Sequence, residues 1–234
     1  MNELLELNLK AVQATIARSV LLAKRDPTQV TLLAVSKTVA AENIEKMAKF
    51  GQTNFAENYV QEGVEKIKEI KERGSVSGLI WHFIGPLQSN KTKLVAENFD
   101  WVQTIDRLKI AQRLSEQRPS NLGPLQLCIQ INIDGGLTKS GVSTEEALIL
   151  AKEIVNLPQT VLRGIMTIPD PVQGVEQQMH VHKKAKMIFE SIKYELNSKD
   201  FDTLSMGMSA DIETAIAAGS TMVRVGTALF GARK

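Results

Sequence analysis

The chain has 234 residues, with 28 basic and 26 acidic side chains and a formal net charge of +2. So even a balance gives no footing for nucleic acid or an anionic membrane surface, and a composition 43% hydrophobic and 23% charged is that of an ordinary globular protein. Cys128 is the only cysteine, which excludes an intrachain disulfide and reads as a small buried hydrophobe. The N-terminal segment has no cationic stretch followed by an apolar core, and no apolar run approaches a membrane span. A cytoplasmic protein is expected.

An amphipathic helix is predicted over Asn2 to Lys24. Short β-type runs and longer helical ones then alternate. Candidate strands fall at Thr31 to Val35, Asn54 to Ala56, Ile80 to Ile84 and Trp101 to Thr104. Four more fall at Leu125 to Ile133, Val161 to Thr167, Thr203 to Met206 and Met222 to Val225. Helical periodicity covers Ala41 to Phe50, Tyr59 to Arg73, Leu108 to Gln117, Glu145 to Val155 and Gln173 to Leu196. Ser143-Thr-Glu-Glu146 reads as a capping box, and Asp106 as a cap for the helix at Leu108. Lys66 to Arg73, where lysines alternate with Glu69 and Glu72, reads as a solvated helix face. Strands such as Leu127 to Ile131 are nearly continuously apolar, which fits parallel strands covered on both faces. Eight β-runs with helical segments between them predict a single-domain (β/α)₈ barrel over 1–234, with an extra N-terminal helix. The alternative is an open doubly wound sheet, weakened by the lack of a Gly-x-Gly-x-x-Gly after any strand.

In such a barrel, ligand groups gather where strands end, and phosphate often sits on the loops after strands 7 and 8. Met206-Gly-Met-Ser209 follows the seventh run, with Asp211 in the first turn of the next helix. Arg224-Val-Gly226-Thr227 closes the eighth. Glycines admit an anion close to the backbone and hydroxyls bind it, although each residue singly also suits a plain turn. Lys37 ends the first run, which neighbours the eighth when a barrel closes. A partly desolvated lysine there is biased towards the neutral amine that condenses with aldehydes. An amine beside a phosphate site points to a ligand carrying both aldehyde and phosphate: pyridoxal phosphate, or a sugar phosphate in an aldolase-type barrel. Arg224, one residue before the phosphate loop, would face a pyridine nitrogen and keep it unprotonated, unless it is a salt bridge of the rim. Asn58 either bonds a ligand or caps the helix at Tyr59. Met166 either packs on a flat ring or fills the core. His82 reads as a satisfied core histidine. His180 and His182, two apart on a helix, do not share a face and are not a metal pair.

Leu33-Ala-Val-Ser-Lys37, Phe55-Ala-Glu-Asn-Tyr59-Val-Gln-Glu62 and Trp81-His-Phe-Ile-Gly-Pro-Leu-Gln-Ser-Asn-Lys91 are family motifs. So are Lys139-Ser-Gly141, Arg163-Gly-Ile-Met166, Leu204-Ser-Met-Gly-Met-Ser209 and Val223-Arg-Val-Gly-Thr227. Together they strongly resemble the pyridoxal phosphate homeostasis protein family, departing from it at Ala56, where the family usually has glycine. The resemblance implies a barrel like the N-terminal domain of alanine racemase, of pyridoxal phosphate fold type III, with pyridoxal 5'-phosphate as cofactor. It matches Lys37 to the lysine that forms the Schiff base. Ser209, Gly226 and Thr227 match the phosphate positions, Arg224 the arginine at the pyridine nitrogen, and Asn58 and Met166 the ring lining. Racemases of this fold take a tyrosine base from a second domain; neither Tyr59 nor Tyr194 is convincingly placed for that role. The expected function is therefore a carrier that buffers or delivers the cofactor rather than an enzyme. Apo-enzymes are its conceivable partners and a monomer its expected state. An amino-acid racemase or decarboxylase, an aldolase-type barrel and a cofactor-signalled regulator are the alternatives. Arg233-Lys234 reads as a solvated tail, with a second phosphate site the lesser reading.

Overall fold

The computed structural model describes residues 2–136 and 140–231; Lys139 and Arg233-Lys234 lie outside the described residues. Eight parallel strands close into a barrel: β1 (Thr31–Val35), β2 (Asn54–Glu57), β3 (Ile80–Phe83), β4 (Trp101–Ile105), β5 (Leu125–Ile131), β6 (Thr160–Thr167), β7 (Thr203–Met208) and β8 (Met222–Val225). The closing seam pairs β1 with β8, placing Leu33 level with Arg224 and Ala34 level with Val225. Outside the strands lie α1 (Asn2–Leu22), α2 (Ala41–Lys49), α3 (Val60–Arg73), α4 (Thr92–Asn98), α5 (Leu108–Gln117), α6 (Thr144–Ile154), α7 (Val175–Leu196), α8 (Ile212–Ala217) and α9 (Thr227–Phe230).

The period of two along each strand divides the molecule into two cores. Outward residues such as Ala34, Phe55, Phe83, Val102, Leu204 and Val223 pack with the helices in one large apolar layer. Inside the barrel a much smaller cluster of Leu33, Ala56 and Met222 meets Val35 and Ile84. Much of the remaining interior is polar: His82, Gln103, Ser205 and Arg224 are all buried. In α1 the buried Leu5, Leu9, Val12, Ile16 and Val20 recur at spacings of three and four, so one stripe faces the barrel. That helix straddles the seam. Asn8 donates to Leu229 O at 2.9 Å, and Arg25, just beyond it, donates to Ile216 O at 2.9 Å and Ser220 O at 2.7 Å.

The predicted elements correspond to observed ones, apart from end shifts of one or two residues at several, with four differences besides. Helix α4 carries no sequence signature, because seven residues are too few to repeat an apolar period; only Thr92, Val95 and Ala96 are buried. Strand β5 stops at Ile131 rather than Ile133, where the chain turns. Asp106 is not a cap: the N-cap of α5 is Arg107, without a side-chain cap bond, and the Asp106 carboxylate instead accepts from the Arg107 guanidinium at 2.8 Å. The capping box at Ser143 and Glu146 is formed in both directions. The fourth difference, in α3, bears on the site. Among the described residues no helix is long and apolar enough to cross a membrane.

Candidate functional site

The barrel mouth at the strand C-termini holds a cavity of about 380 Å³, lined by Lys37, Asn58, Ser209, Arg224, Gly226 and Thr227 with Val35, Ile84, Ile168, Met208 and Ala210. Six of the seven residues singled out by sequence thus share one wall. Met166 does not: it is fully buried on β6, level with Ser205 of β7. A neighbouring hollow of about 360 Å³ between β1, α2 and α9 shares Lys37, Gly226 and Thr227. Both volumes fall within the range of small-molecule sites.

Lys37 is half-buried, two residues past β1. Its neighbours on both sides are held by one buried charge cluster. Lys66 of α3 donates to Ser36 O at 2.7 Å, to Glu57 Oε1 and Oε2 at 3.1 and 3.2 Å, and to Glu62 Oε1 at 2.6 Å. The Ser36 hydroxyl donates to Glu57 Oε1 at 2.6 Å, and the Thr38 N–H donates to Glu62 Oε1. Burial holds the Glu57 carboxyl above the usual range, against the opposing pull of Lys66 and the Ser36 bond. Thr38 takes φ 64, a left-handed conformation that costs a β-branched residue on the order of 1–3 kcal/mol. The reactive-amine candidate therefore sits on a backbone clamped from below. The solvated helix face expected over Lys66 to Arg73 is corrected at its first residue: Lys66 is buried, because Glu57 arrives against it from β2. At the other end, Arg73 meets Glu42, Glu45 and Glu69.

Asn58 is not the cap of α3, whose N-cap is Tyr59 with no side-chain bond. Its Oδ1 is buried without a partner, at the wall of the cavity. Opposite, the Met208 N–H donates to Asp211 Oδ1 at 2.6 Å and His182 Nε2 donates to Asp211 Oδ2 at 2.9 Å, bracing the turn that presents Ser209. Burial pushes the Asp211 carboxyl up, but the bonds from His182 and Met208 outweigh it, so it lies below its usual range. Gly207, near the end of β7, sits at φ 93, and a Cβ there would lie 2.4 Å from the Ala215 methyl.

Arg224 is not a rim salt bridge. It is buried on β8, donating from Nη1 to Ser205 Oγ at 2.8 Å and from Nη2 to Thr167 O at 2.7 Å. Among the described residues no carboxylate is ion-paired with it. Burial lowers it to about 10, against the opposing pull of the Asp211 charge, so it remains a cation at neutral pH. Cys128 is buried and burial pushes its thiol well up, leaving it inert. Among the described residues there is no cluster of His, Cys, Asp or Glu suited to a metal ion.

The donors fit a phosphorylated aldehyde on a flat polar ring. An amine and two hydroxyl-bearing loops share the cavity, a cation without a carboxylate partner lines it, and an orphaned amide oxygen faces it. The apolar side chains between them were not legible in the sequence, since Ile84, Ile168 and Met208 carry no chemistry to mark them. Nor were Glu57, Lys66, Gln103 and Ser205, whose importance lies in burial.

Fold and cavity together define a closed (β/α)₈ barrel with a lysine at the cavity of its mouth. The family model for the alanine racemase N-terminal domain matches residues 7–234. A pyridoxal phosphate homeostasis protein of Haemophilus influenzae is 53% identical over 226 residues, covering 97% of this chain and 94% of the relative. PipY of Synechococcus elongatus, solved with PLP bound, superposes with a TM-score of 0.79 at 32% identity, covering 92% of this chain and 100% of that one. Alanine racemase of Clostridium difficile gives a TM-score of 0.71 at 18% identity over 94% of this chain and 56% of that one, a likeness of fold alone. The chain belongs to the pyridoxal phosphate homeostasis protein family.

Proposed function

We propose that this protein holds pyridoxal 5'-phosphate at the barrel mouth, covalently and reversibly through Lys37, and so buffers or delivers the cofactor. The observation that carries this reading is the convergence of Lys37, Asn58, Ser209, Arg224, Gly226 and Thr227 on one cavity. The relative solved with PLP bound supports the ligand's identity. When bound, the cofactor supplies an aldehyde to which a primary amine adds with loss of water. Ser209, Gly226 and Thr227 would hold the phosphate, Asn58 Oδ1 would be free to accept from the ligand, and Arg224 would offer a charged N–H to the ring nitrogen. An arginine there keeps that nitrogen unprotonated and the ring a weak electron sink, which suits storage better than carbanion chemistry. Met166 would act on the ring only at one remove, through the interior on which the cavity rests.

General acid–base work on a bound amino acid needs a second group within hydrogen-bond reach of the reacting proton. Tyr59 and Tyr194 are 58% and 84% exposed, and neither lines the cavity. The cofactor-holding reading therefore stands ahead of racemase or decarboxylase chemistry. Apo-enzymes as recipients, a monomeric state and a cytoplasmic location belong to the same proposal.

The test is the visible spectrum of the purified protein with added pyridoxal phosphate, before and after borohydride, followed by peptide mapping. A yellow band that bleaches, with the pyridoxyl mass on the Lys37 peptide, is expected. Lys37→Ala should lose the band and keep the circular dichroism of the barrel. A protein that stays unlabelled overturns the assignment, and turnover of amino-acid enantiomers abolished by Lys37→Ala would move it to the racemases.

A further inference from the structure

A file of hydrogen bonds crosses the polar interior of the barrel, with side branches from Gln103 Nε2 to Met222 Sδ and from Arg224 Nη2 to Thr167 O. Arg224 Nη1 lies 2.8 Å from Ser205 Oγ, and Ser205 Oγ lies 2.7 Å from Gln103 Oε1. Gln103 Nε2 is 3.0 Å from His82 Nδ1, and His82 Nε2 is 3.0 Å from Asn54 Oδ1. The file runs from β8 through β7, β4 and β3 to β2. Arg224 lines the cavity at the mouth, whereas Asn54 lines a separate hollow with Trp101, Arg163 and Asp202 at the opposite end. His82, Gln103 and Ser205 are wholly buried, and His82 lies flat against Trp101 with centroids 5.1 Å apart.

Only one group in the file has no choice of direction. A guanidinium has five donors and no acceptor, whereas hydroxyl, carboxamide and imidazole can each turn round. Arg224 donates to Ser205 Oγ, and the Ser205 hydroxyl, with its one proton, donates in turn to Gln103 Oε1. Gln103 must then meet Ser205 with its carbonyl and His82 with its N–H. His82 Nδ1 must accept, so the proton of the neutral ring is on Nε2, donating to Asn54. Every bond points the same way, away from the cation.

We propose that Ser205, Gln103 and His82 form a one-way chain that positions Arg224, with His82 locked as the Nε2–H tautomer by a cation three hydrogen bonds away. The buried guanidinium gains a polarised acceptor in place of a counter-charge, and successive aligned bonds strengthen one another in a low-dielectric interior. Gln103 and His82 are positioning residues: neither lines the cavity, yet they fix the rotation of the group that does. Their effect on the cofactor rests on the reading of Arg224 given above; the chain itself does not.

The two parts are tested separately. Long-range proton–nitrogen NMR on protein labelled at histidine nitrogen, without added ligand, should show His82 Nδ1 unprotonated from pH 5 to 8. A protonated Nδ1 in that range overturns the chain, and this measurement needs no variant. Gln103→Glu presents acceptors to both neighbours, so His82 Nδ1 should gain a proton; an unchanged tautomer also overturns it. Gln103→Leu cuts the file and should broaden or shift the Arg224 side-chain nitrogen signals while circular dichroism is kept. If that variant misfolds, Ser205→Ala makes the same cut one bond nearer the arginine. With pyridoxal phosphate added, the cut variants should retain the borohydride label on Lys37 but show a displaced absorption band. A displaced Arg224 signal with an unmoved band would confirm the chain and sink the proposed contact between Arg224 and the ring.

Discussion

The barrel buries two cations beside the mouth and stabilises them by opposite means. Under β1 and β2, Lys66 is surrounded by two carboxylates, a carbonyl and, through Glu57, the Ser36 hydroxyl. Across the mouth, Arg224 has only neutral acceptors and the distant field of Asp211. The difference sets what each is free to do. A charge already paired with carboxylates has little left for a ligand, so Lys66 serves as a structural tie for the backbone of Lys37. A charge solvated by dipoles stays available for a new partner on its open side.

The largest break in this comparison is Lys66→Met. It strands Glu57 as an uncompensated buried carboxylate and should cost roughly 3–5 kcal/mol, read as a lowered urea midpoint at unchanged slope. Arg224→Leu leaves only neutral groups, Thr167 O and Ser205 Oγ, short of a partner. It should cost about 1–3 kcal/mol, less than the lysine change although it removes the larger side chain. If the arginine variant proves the more damaging, the view of Lys66 as the structural tie fails.

The pH profile separates the same regions. Burial without a charge partner drops His82 to about 3, against about 6.5 for an unfolded histidine. Between those values the unfolded chain binds the extra proton, so this group's contribution to stability is present above pH 6.5 and is lost as the pH falls towards 3. Asp211, lowered by its bonds, acts in the same direction at the acid end. Glu57 acts oppositely: its carboxyl is raised, so its contribution is full below the unfolded pKa and is lost as the pH rises through the folded one. His82→Gln should therefore flatten the stability profile between pH 4.5 and 6 by up to about 1.4 kcal/mol per pH unit, measured by urea titration at each pH.

The smallest contrast uses one hydroxyl on each side. Ser36→Ala removes a bond to a carboxylate and Ser205→Ala removes the acceptor of a buried guanidinium, so each should cost about 2 kcal/mol, read as a lowered urea midpoint. A loss at Ser205 well below that at Ser36 would mean that Arg224 does not depend on this acceptor.

What the sequence revealed of this arrangement divides along a physical line. Lys37, Ser209, Gly226 and Thr227 were legible because strand ends and turns carry residue types that a plain loop does not need. Arg224 was legible by position, one residue ahead of its loop. Lys66 was misread, since spacing along α3 shows the pair with Glu62 but not Glu57 approaching from β2. Gln103 and Ser205 passed unremarked, because a lone polar residue in a strand is ambiguous until the sheet closes and turns it inward. His82 was read as satisfied without its partners being known. The missed helix α4 is too short for periodicity to declare.

The seam between β1 and β8 also sets an order in time. Lys37 follows the first strand, while Arg224 lies on the last and Gly226 and Thr227 follow it, and they meet only when the ends of the sheet pair. Contacts so remote in sequence carry the largest loop-closure entropy cost. The same holds for the ties from the α1 end of the chain to Leu229, Ile216 and Ser220, which span the seam. A partly synthesised chain therefore possesses the amine without its cavity, and ligand capture becomes a readout of completed ring closure rather than of any earlier stage of folding.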